Sequence, residues 1–204
     1  GRIEYVYSQL ARAAGIAMMP ATLVEEHGRA HFMTQRFDRV AGQRMHVHTY
    51  GGLDHADFNV RQVRSYEDYL RAVRRLGLGQ GAVNEAFRRM AFNIVARNQD
   101  DHVKNLAFMM RPDGAWGLAP AYDVVFAFGG QWMRTHQMRA ADKDDAFTRA
   151  DVLAVGAQFD VPHDGAQILD AVLDSMTMWE TRAREVALDP EITRHITSLV
   201  RWLR

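Results

Sequence analysis

The octet at residues 98–105, Asn-Gln-Asp-Asp-His-Val-Lys-Asn, gathers acid, amide, imidazole and amine groups in one short stretch. Apolar residues in the range 83–95 precede it at the i, i+3, i+4, i+7 spacing of a helix with one buried face. A short apolar run, a Pro-Asp-Gly turn at 112–114 and a second apolar run follow, which is the pattern of a two-stranded hairpin. The next segment, residues 119–126, carries one acid, Asp123, among apolar neighbours.

This order predicts a catalytic centre, because a hairpin would return Asp123 to the octet. An Asp, an Asn five positions later and another Asp beyond a hairpin is the layout of a protein-kinase catalytic centre. In that layout Asp100 accepts the proton of a substrate hydroxyl, and Asn105 and Asp123 hold Mg²⁺, which prefers hard oxygen ligands, on the phosphates of ATP. The simpler alternative is a polar loop that caps a core helix, since Asp and Asn favour turns.

The octet, followed by Leu-Ala-Pro-Ala-Tyr-Asp at 118–123, resembles the C-terminal catalytic domain of HipA-like serine/threonine kinases, the toxins of bacterial type II toxin–antitoxin pairs. The similarity runs over residues 4–199 and is most specific over 98–123. It implies an α+β fold, mostly helical: a kinase-like C-terminal lobe with a small amino-terminal β-hairpin from the N-lobe and hinge. Residues 1–40 would be the remnant of the small lobe and hinge, and residues 41–204 the helical lobe.

The resemblance also implies a reaction and its partners. The reaction is ATP- and Mg²⁺-dependent phosphorylation of a protein Ser or Thr, the implied substrate is an aminoacyl-tRNA synthetase, and the implied partner is a DNA-binding antitoxin. The segment 35–39 would be the hinge, where Gln35 and Phe37 pair with adenine through their main chain and Asp38 reaches the ribose. The alternative for Asp38 is an exposed Asp/Arg pair at a strand end, which contributes little.

The remaining polar residues of the octet have less definite roles. Histidine can gain or lose a proton near neutral pH, so His102 is predicted to contact phosphate or to position Asp100, and the alternative is that its ring supports the loop. Lys104 is predicted to steady the γ-phosphate as a point charge, or else to be a solvated loop residue. Asp101 is expected to be structural, because it lies one position off the spacing between Asp100 and Asn105.

Composition excludes several classes of function. Lys plus Arg and Asp plus Glu number 25 each, so the formal net charge is zero and bulk binding to nucleic acid or membrane surfaces is not expected. With no Cys, disulfide and thiolate chemistry are excluded, which fits a reducing cytoplasm. No apolar run of about 18 residues and no signal peptide are visible, so no membrane association is predicted.

A kinase also needs a Gly-rich loop over the phosphates and a strand Lys that holds them. Neither is found here: the glycines at 77–81 join two predicted helices, which indicates a linker, and the only lysines are Lys104 and Lys143. Because the chain also starts at Gly1 without Met, we expect an amino-terminal part of the enzyme to be missing. Two other functions stay open: a catalytically silent kinase-like binding or regulatory module, and a metal-dependent phosphohydrolase that uses the same acids.

Local signals predict the other elements. A helix is expected over residues 4–14, a hairpin over 21–37, and helices that begin after the capping pairs Ser65/Asp68 and Thr148/Asp151. One long helix over 164–186 and a last helix over 190–203 complete the chain. His46, His48 and His55 suggest a zinc site, but no further ligand is placed at a suitable spacing, so loop histidines are favoured. The glycine break at 129–133 lies where a kinase would place a mobile activation-type segment. The polar residues that follow, His136, Arg139, Lys143, Asp144 and Asp145, are expected to form a surface loop, and the alternative is a substrate-facing segment.

Overall fold

The computed structural model describes residues 1–130 and 133–204, and its mixed, mostly helical fold confirms the predicted fold class. Gln131 and Trp132, in the predicted activation-type segment, lie outside the described residues. Among the described residues, the α-helices are α1 (Arg2–Ala13), α2 (Tyr50–Leu53), α3 (Tyr66–Arg75), α4 (Gly79–Val95), α5 (Arg149–Gln158), α6 (Ala166–Met176), α7 (Trp179–Glu185) and α8 (Pro190–Leu199), with a 3₁₀ turn at Pro162–Gly165.

Short antiparallel strands form three small sheets. The strands are β1 (Ala21–Glu26), β2 (Arg29–Thr34), β3 (Arg39–Val40), β4 (Gln43–Arg44), β5 (His46–Thr49), β6 (Ala107–Met110) and β7 (Trp116–Leu118). Strands β1 and β2 form one hairpin, β3 and β4 another, and β5, β6 and β7 a three-stranded sheet in that order. In this sheet Phe108 lies between His48 and Leu118. Both predicted hairpins are therefore present, and the second gains β5 as a third strand.

Helix α4 lies at the centre of the core, packed against α3 on one side and α6 on another. The apolar residues that predicted it are fully buried: Val83, Ala86, Phe87, Met90, Ala91, Ile94 and Val95. Helix α1 packs against α6 and α7, where the rings of Tyr7 and Trp179 meet edge to face at 5.5 Å. The Tyr7 hydroxyl donates to the Ala96 carbonyl at 2.8 Å, which fixes the end of α4 from which the octet continues.

Caps set the start of several helices. Ser65 with Asp68 and Thr148 with Asp151 each form a complete capping box, as predicted. The Asp189 side chain accepts from the first free amides of α8, where Pro190 suits the first turn. None of the helices in the described part of the chain is long and apolar enough to cross a membrane.

The carboxyl-terminal third departs from the prediction. The single helix expected over 164–186 is two helices, because the Ser175 and Thr177 hydroxyls bond to carbonyls one turn back and α6 ends at Met176. The last helix ends at Leu199 rather than at 203. Val200 is extended, and the Arg201 amide donates to the Val95 carbonyl at 3.0 Å, so this tail lies along the end of α4.

Two smaller predictions also need correction. The loop interpretation of His46 and His48 was wrong, because both residues belong to strand β5 and pair with β6. The glycine-rich linker is shorter than predicted, because α4 already begins at Gly79. It still joins two helices, which agrees with a linker and not with a phosphate-binding loop.

Candidate active site

The octet follows the end of α4, where the buried side chains of Asn93 and Asn98 are hydrogen-bonded to each other. The Asn98 amide donates to the Asn93 carbonyl, and the Asn98 side chain donates to Asn93 Oδ1, both at 3.0 Å. Both asparagines are at most 8% exposed, whereas the Asp100 side chain is 47% exposed. The loop is thus fixed at its root and presents Asp100 to solvent.

The chain returns to the octet after the β6–β7 hairpin, as the sequence predicted. The Ala119 carbonyl accepts from Arg89 Nη1 of α4 at 2.9 Å, which holds the returning strand. Farther on, the Gln99 amide donates to the Ala127 carbonyl at 2.9 Å, and the Ala127 amide donates to the Arg97 carbonyl at 3.0 Å. Asp123 lies between these two attachment points, so it is held beside the loop.

Asn105 is oriented by the loop itself. Its Nδ2 donates to the Asp100 carbonyl at 2.9 Å, and its amide donates to the His102 carbonyl at 2.9 Å. Within the part of the chain that the structure describes, its Oδ1 accepts no hydrogen bond. Asn105 lines a cavity of about 20 Å³ together with Asp101 and Asp123. This space suits one water-sized particle or ion, beside two hard oxygen donors.

Asp123 has a backbone that side chains rarely adopt. Its φ is +54°, in the left-handed region, where Asp is tolerated better than most residues. Such conformations persist only where the surrounding structure imposes them, and they concentrate at functional sites. Asp123 borders both the small cavity and a second, larger cleft.

The larger cleft has a volume of about 470 Å³. Gln35, Phe37 and Asp38 line it as predicted, together with Glu4, Met18, Met19, Phe32, Thr34, Arg36, Val47, Ala121, Tyr122, Asp123 and Val124. In the described residues, the main-chain groups of Gln35 and Phe37 make no hydrogen bond. They lie just beyond the end of β2, so backbone donors and acceptors remain available at the edge of an apolar cleft.

Asp38 is already paired. Its carboxylate accepts from Arg36 Nε and Nη2 at 2.8 and 2.7 Å, and from Arg39 Nη1 at 2.5 Å. The hydrogen bond from Arg36 lowers the pKa of Asp38 to about 2. Asp38 therefore forms the Asp/Arg pair and also lines the cleft, and its contact with the ribose stays a prediction.

Tyr122 connects the two sides of the site, and the sequence analysis assigned it no role. Its ring stacks on Phe37 with centroids 5.6 Å apart, and its hydroxyl donates to the Lys104 carbonyl. Burial raises the pKa of Tyr122 to about 12, so it stays a neutral donor. The only signal in the sequence was its position next to Asp123.

His102 and Lys104 lie on the outer side of the loop, and neither of the two cavities is lined by them or by Asp100. His102 Nε2 is 3.9 Å from Asp100 Oδ1, too far for a hydrogen bond. The Lys104 ammonium lies 3.2 Å from the centroid of the Phe58 ring, which also contacts the His102 ring edge to face at 6.1 Å. The two roles predicted for His102, contact with phosphate or positioning of Asp100, therefore stay predictions.

Glu4 is a further acid that the sequence analysis did not single out. It lies in the first turn of α1 and lines the cleft beside Asp123. Burial, and then the charge of Asp123, raise the pKa of Glu4 above its usual range. Glu4 and Asp123 thus place two carboxyl groups in the lining of the cleft.

Gly51, the second residue of α2, lies against the octet. Its amide donates to the Val103 carbonyl at 2.9 Å, and a Cβ there would lie 2.7 Å from Val103 Cγ2. Only glycine lets α2 approach the octet this closely. By contrast, no cluster of three or more His, Asp or Glu side chains suited to a metal occurs in residues 1–130 and 133–204, the histidines of β5 included.

Two of the solved structures with a similar fold come from bacterial proteins. HipA of Shewanella oneidensis MR-1, in a toxin–antitoxin complex with HipB and its operator DNA, aligns with a TM-score of 0.61 at 19% identity, covering 99% of this chain and 50% of that one. The proinflammatory kinase CtkA of Helicobacter pylori aligns with a TM-score of 0.55 at 13% identity, covering 97% and 86%. The chain thus spans about half the length of the HipA chain.

At the level of sequence, a comparison with curated proteins gives no match. The model of the HipA-like C-terminal domain family, however, matches residues 1–200, nearly the whole chain. This agrees with the resemblance drawn from residues 98–123 and with the fold of both neighbours. The chain therefore belongs to the family of HipA-like C-terminal domains.

Proposed function

We propose that this chain is the catalytic lobe of an ATP- and Mg²⁺-dependent protein serine/threonine kinase. One observation carries the proposal: Asp123 borders both the small cavity at Asn105 and the cleft at residues 35–38. A nucleotide in the cleft would therefore place its phosphates toward the two oxygen donors. Family membership and the fold of a kinase neighbour support the same class of reaction.

In this proposal the cleft holds the adenosine. Phe32, Met18 and Met19 offer apolar surface to the flat base, and the free main-chain groups of Gln35 and Phe37 pair with its edge. Asp38 then contacts the ribose while Arg36 and Arg39 hold its carboxylate in place. The stacking of Phe37 on Tyr122 ties this hinge to the segment that carries Asp123.

The residues present fit a magnesium ion. Asn105 Oδ1 and the Asp123 carboxylate would be its protein ligands, since Mg²⁺ commonly takes one or two side-chain oxygens together with phosphate oxygens and water. The Asn105 amide can offer only its oxygen, because Nδ2 is engaged with the Asp100 carbonyl. When bound, the ion would neutralise charge on the phosphates.

Asp100 acts on the acceptor. Its exposed carboxylate takes the proton of the Ser or Thr hydroxyl, the hydroxyl oxygen bonds to the γ-phosphorus, and the bond to the ADP oxygen breaks. His102 positions Asp100. The Lys104 ammonium, which lies over the Phe58 ring, would steady the γ-phosphate. Asp100 therefore acts on the substrate hydroxyl, whereas Asn105, five residues later, would bind the magnesium ion.

We extend the proposal to the partners by family analogy alone. A HipA relative was solved with HipB and operator DNA, so a DNA-binding antitoxin is proposed as the partner of this chain, without direct contact to nucleic acid. The proposed substrate is an aminoacyl-tRNA synthetase.

The test is transfer of labelled γ-phosphate to protein, with this chain and with the longest natural form of the protein in parallel. Asp100→Asn should remove most transfer and leave nucleotide binding intact. Asp174→Asn is the matched control, because it changes an exposed acid on α6 whose carboxylate has no partner in the described part of the chain.

Each alternative has its own outcome. Label released to water without labelled protein would indicate a phosphohydrolase. Nucleotide or partner binding with no transfer by either form would indicate a silent binding module. Transfer that Asp100→Asn leaves at the parental rate would contradict the assignment of the base.

A further inference from the structure

Asp101, the residue after the proposed base, is the most heavily bonded carboxylate of the loop. It is 2% exposed. Its Oδ2 accepts from the Tyr66 hydroxyl and from His136 Nδ1, and its Oδ1 accepts from the Gln137 amide, each at 2.7 Å. A buried carboxylate that lacks such donors is costly, so these three bonds fix the loop at the position next to Asp100.

Tyr66 extends the bonding toward the root of the loop. It is the first residue of α3 and is fully buried. Its hydroxyl accepts from Asn93 Nδ2 at 2.9 Å, and Asn93 Oδ1 in turn accepts from Asn98. The loop is therefore clamped on two sides of Asp100 by one continuous chain of buried hydrogen bonds.

His136 extends the bonding in the other direction and is also fully buried. Arg201 Nη1 lies 3.3 Å from its Nε2. Because a guanidinium can only donate, Nε2 must accept, and Nδ1 must carry the proton that it donates to Asp101. These contacts fit a His136 ring that donates from Nδ1 to Asp101 and accepts at Nε2 from Arg201.

Arg201 brings a charge that balances Asp101. It is 8% exposed and pairs with Asp145, which also accepts from Arg97 Nη1 at 3.2 Å. The four charged groups, Asp101, Arg201, Asp145 and Arg97, sum to zero. Arg201 belongs to the extended tail after α8 and is attached to the end of α4 through its own amide.

We propose that Asp101 and His136 are positioning residues for Asp100, and that Arg201 controls them by fixing the tautomer of His136. For its kinetic consequence this inference rests on the proposed kinase function. It assigns a purpose to two segments far from the loop in sequence, residues 136–145 and 200–203. We expect a change in either segment to affect Asp100 through the side chains of His136 and Asp101.

The kinetic test compares His136→Leu with His136→Asn. Asn keeps an N–H donor near the position of Nδ1, whereas Leu offers none. The Leu variant should lose about 10²-fold in kcat through misplacement of Asp100, with KM for ATP nearly unchanged because residues 35–38 are untouched. The Asn variant should recover most of kcat. Equal kcat for the two variants, or a change confined to KM, would overturn the proposal.

A second test needs no catalysis, so it separates failure of this inference from failure of the kinase proposal. Nitrogen NMR of the His136 ring should show a neutral ring protonated on Nδ1 in the parent, and a shift of tautomer in Arg201→Gln. Amide hydrogen exchange at residues 100–105 should speed up in His136→Leu and not in His136→Asn. A ring protonated on Nε2 in the parent, or exchange that is unchanged in both variants, would rule the positioning network out even if phosphoryl transfer is observed.

Discussion

Two aspartates show how differently the two sides of the candidate site are held. Asp101, in the loop, is buried and accepts from Tyr66, His136 and the Gln137 amide. Asp38, at the hinge, is paired with two partly exposed arginines. A buried polar network is costly to break, whereas an exposed ion pair contributes little and is screened by salt. We therefore expect the loop to be held more rigidly than the segment around Asp38.

Replacing Asp101 and Asp38 in turn by Ala tests this difference most strongly. Asp101→Ala leaves three donors buried without an acceptor, so the free energy of unfolding should fall by about 3–5 kcal/mol. Asp38→Ala should lower it by less, because it breaks an ion pair with two solvent-exposed arginines. Urea unfolding of the two variants measures both. Equal losses would mean that the two sides do not differ in rigidity.

A smaller effect, on KM for ATP, is expected from Phe58, which contacts Lys104 and His102 of the loop. Phe58→Ala removes the ring under the Lys104 ammonium and beside His102, and should change KM for ATP about two- to fivefold, the scale of an exposed cation–π contact. Phe58→Tyr keeps an aromatic face and serves as the control. Steady-state kinetics measure KM for the parent and both variants. Identical KM values for all three would show that Phe58 does not contribute to ATP binding.

Titration tests the hinge. The pKa of Asp38 is about 2, below its unfolded value near 3.9. The ion pair with Arg36 and Arg39 therefore stabilises the fold above about pH 4, and this contribution is lost as the pH falls through about 2. Carboxyl NMR should show this midpoint. Arg36→Gln, or high salt, should move the midpoint upward, and a midpoint near 4 in the parent at low salt would contradict the pairing.

The smallest effect concerns Glu4. Its pKa is raised in the folded protein, so its ionised form disfavours folding once the pH exceeds the folded pKa. Glu4→Gln should therefore stabilise the fold at pH 7, by well under about 1 kcal/mol because the group is partly solvated, and the gain should vanish near pH 4. Thermal unfolding at the two pH values checks this, with Glu26→Gln, an exposed acid on β1, as the control.

The sequence predicted what depends on short-range patterns. The buried stripe of α4, the capping boxes at Ser65 and Thr148, and the hairpin that returns Asp123 were all visible, because helix period, caps and turns act within a few residues. The structural role expected of Asp101 agrees with its burial. The predicted division into residues 1–40 and 41–204 stays a prediction, as do the catalytic and ligand roles of the site residues.

The partners of Asp101 were not predictable in the same way. Tyr66 and His136 lie 35 residues from it on either side, and Arg201 enters only because the last helix ends at Leu199 instead of continuing to 203. No periodicity connects such residues. The break between α6 and α7 was missed for a related reason: hydroxyl bonds at Ser175 and Thr177 interrupt an apolar pattern that would otherwise continue.

The central claim is that Asp123 joins a metal site to a nucleotide cleft. The most direct measurement is calorimetric titration of ATP with and without Mg²⁺, for this chain and for the longest natural form of the protein, each as parent, as Asp123→Asn and as Asp100→Asn. The account predicts Mg²⁺-dependent binding by the parent that Asp123→Asn abolishes and Asp100→Asn retains. Binding that Asp123→Asn leaves unchanged, or no binding by either form, would contradict the account and favour a module that only binds a partner.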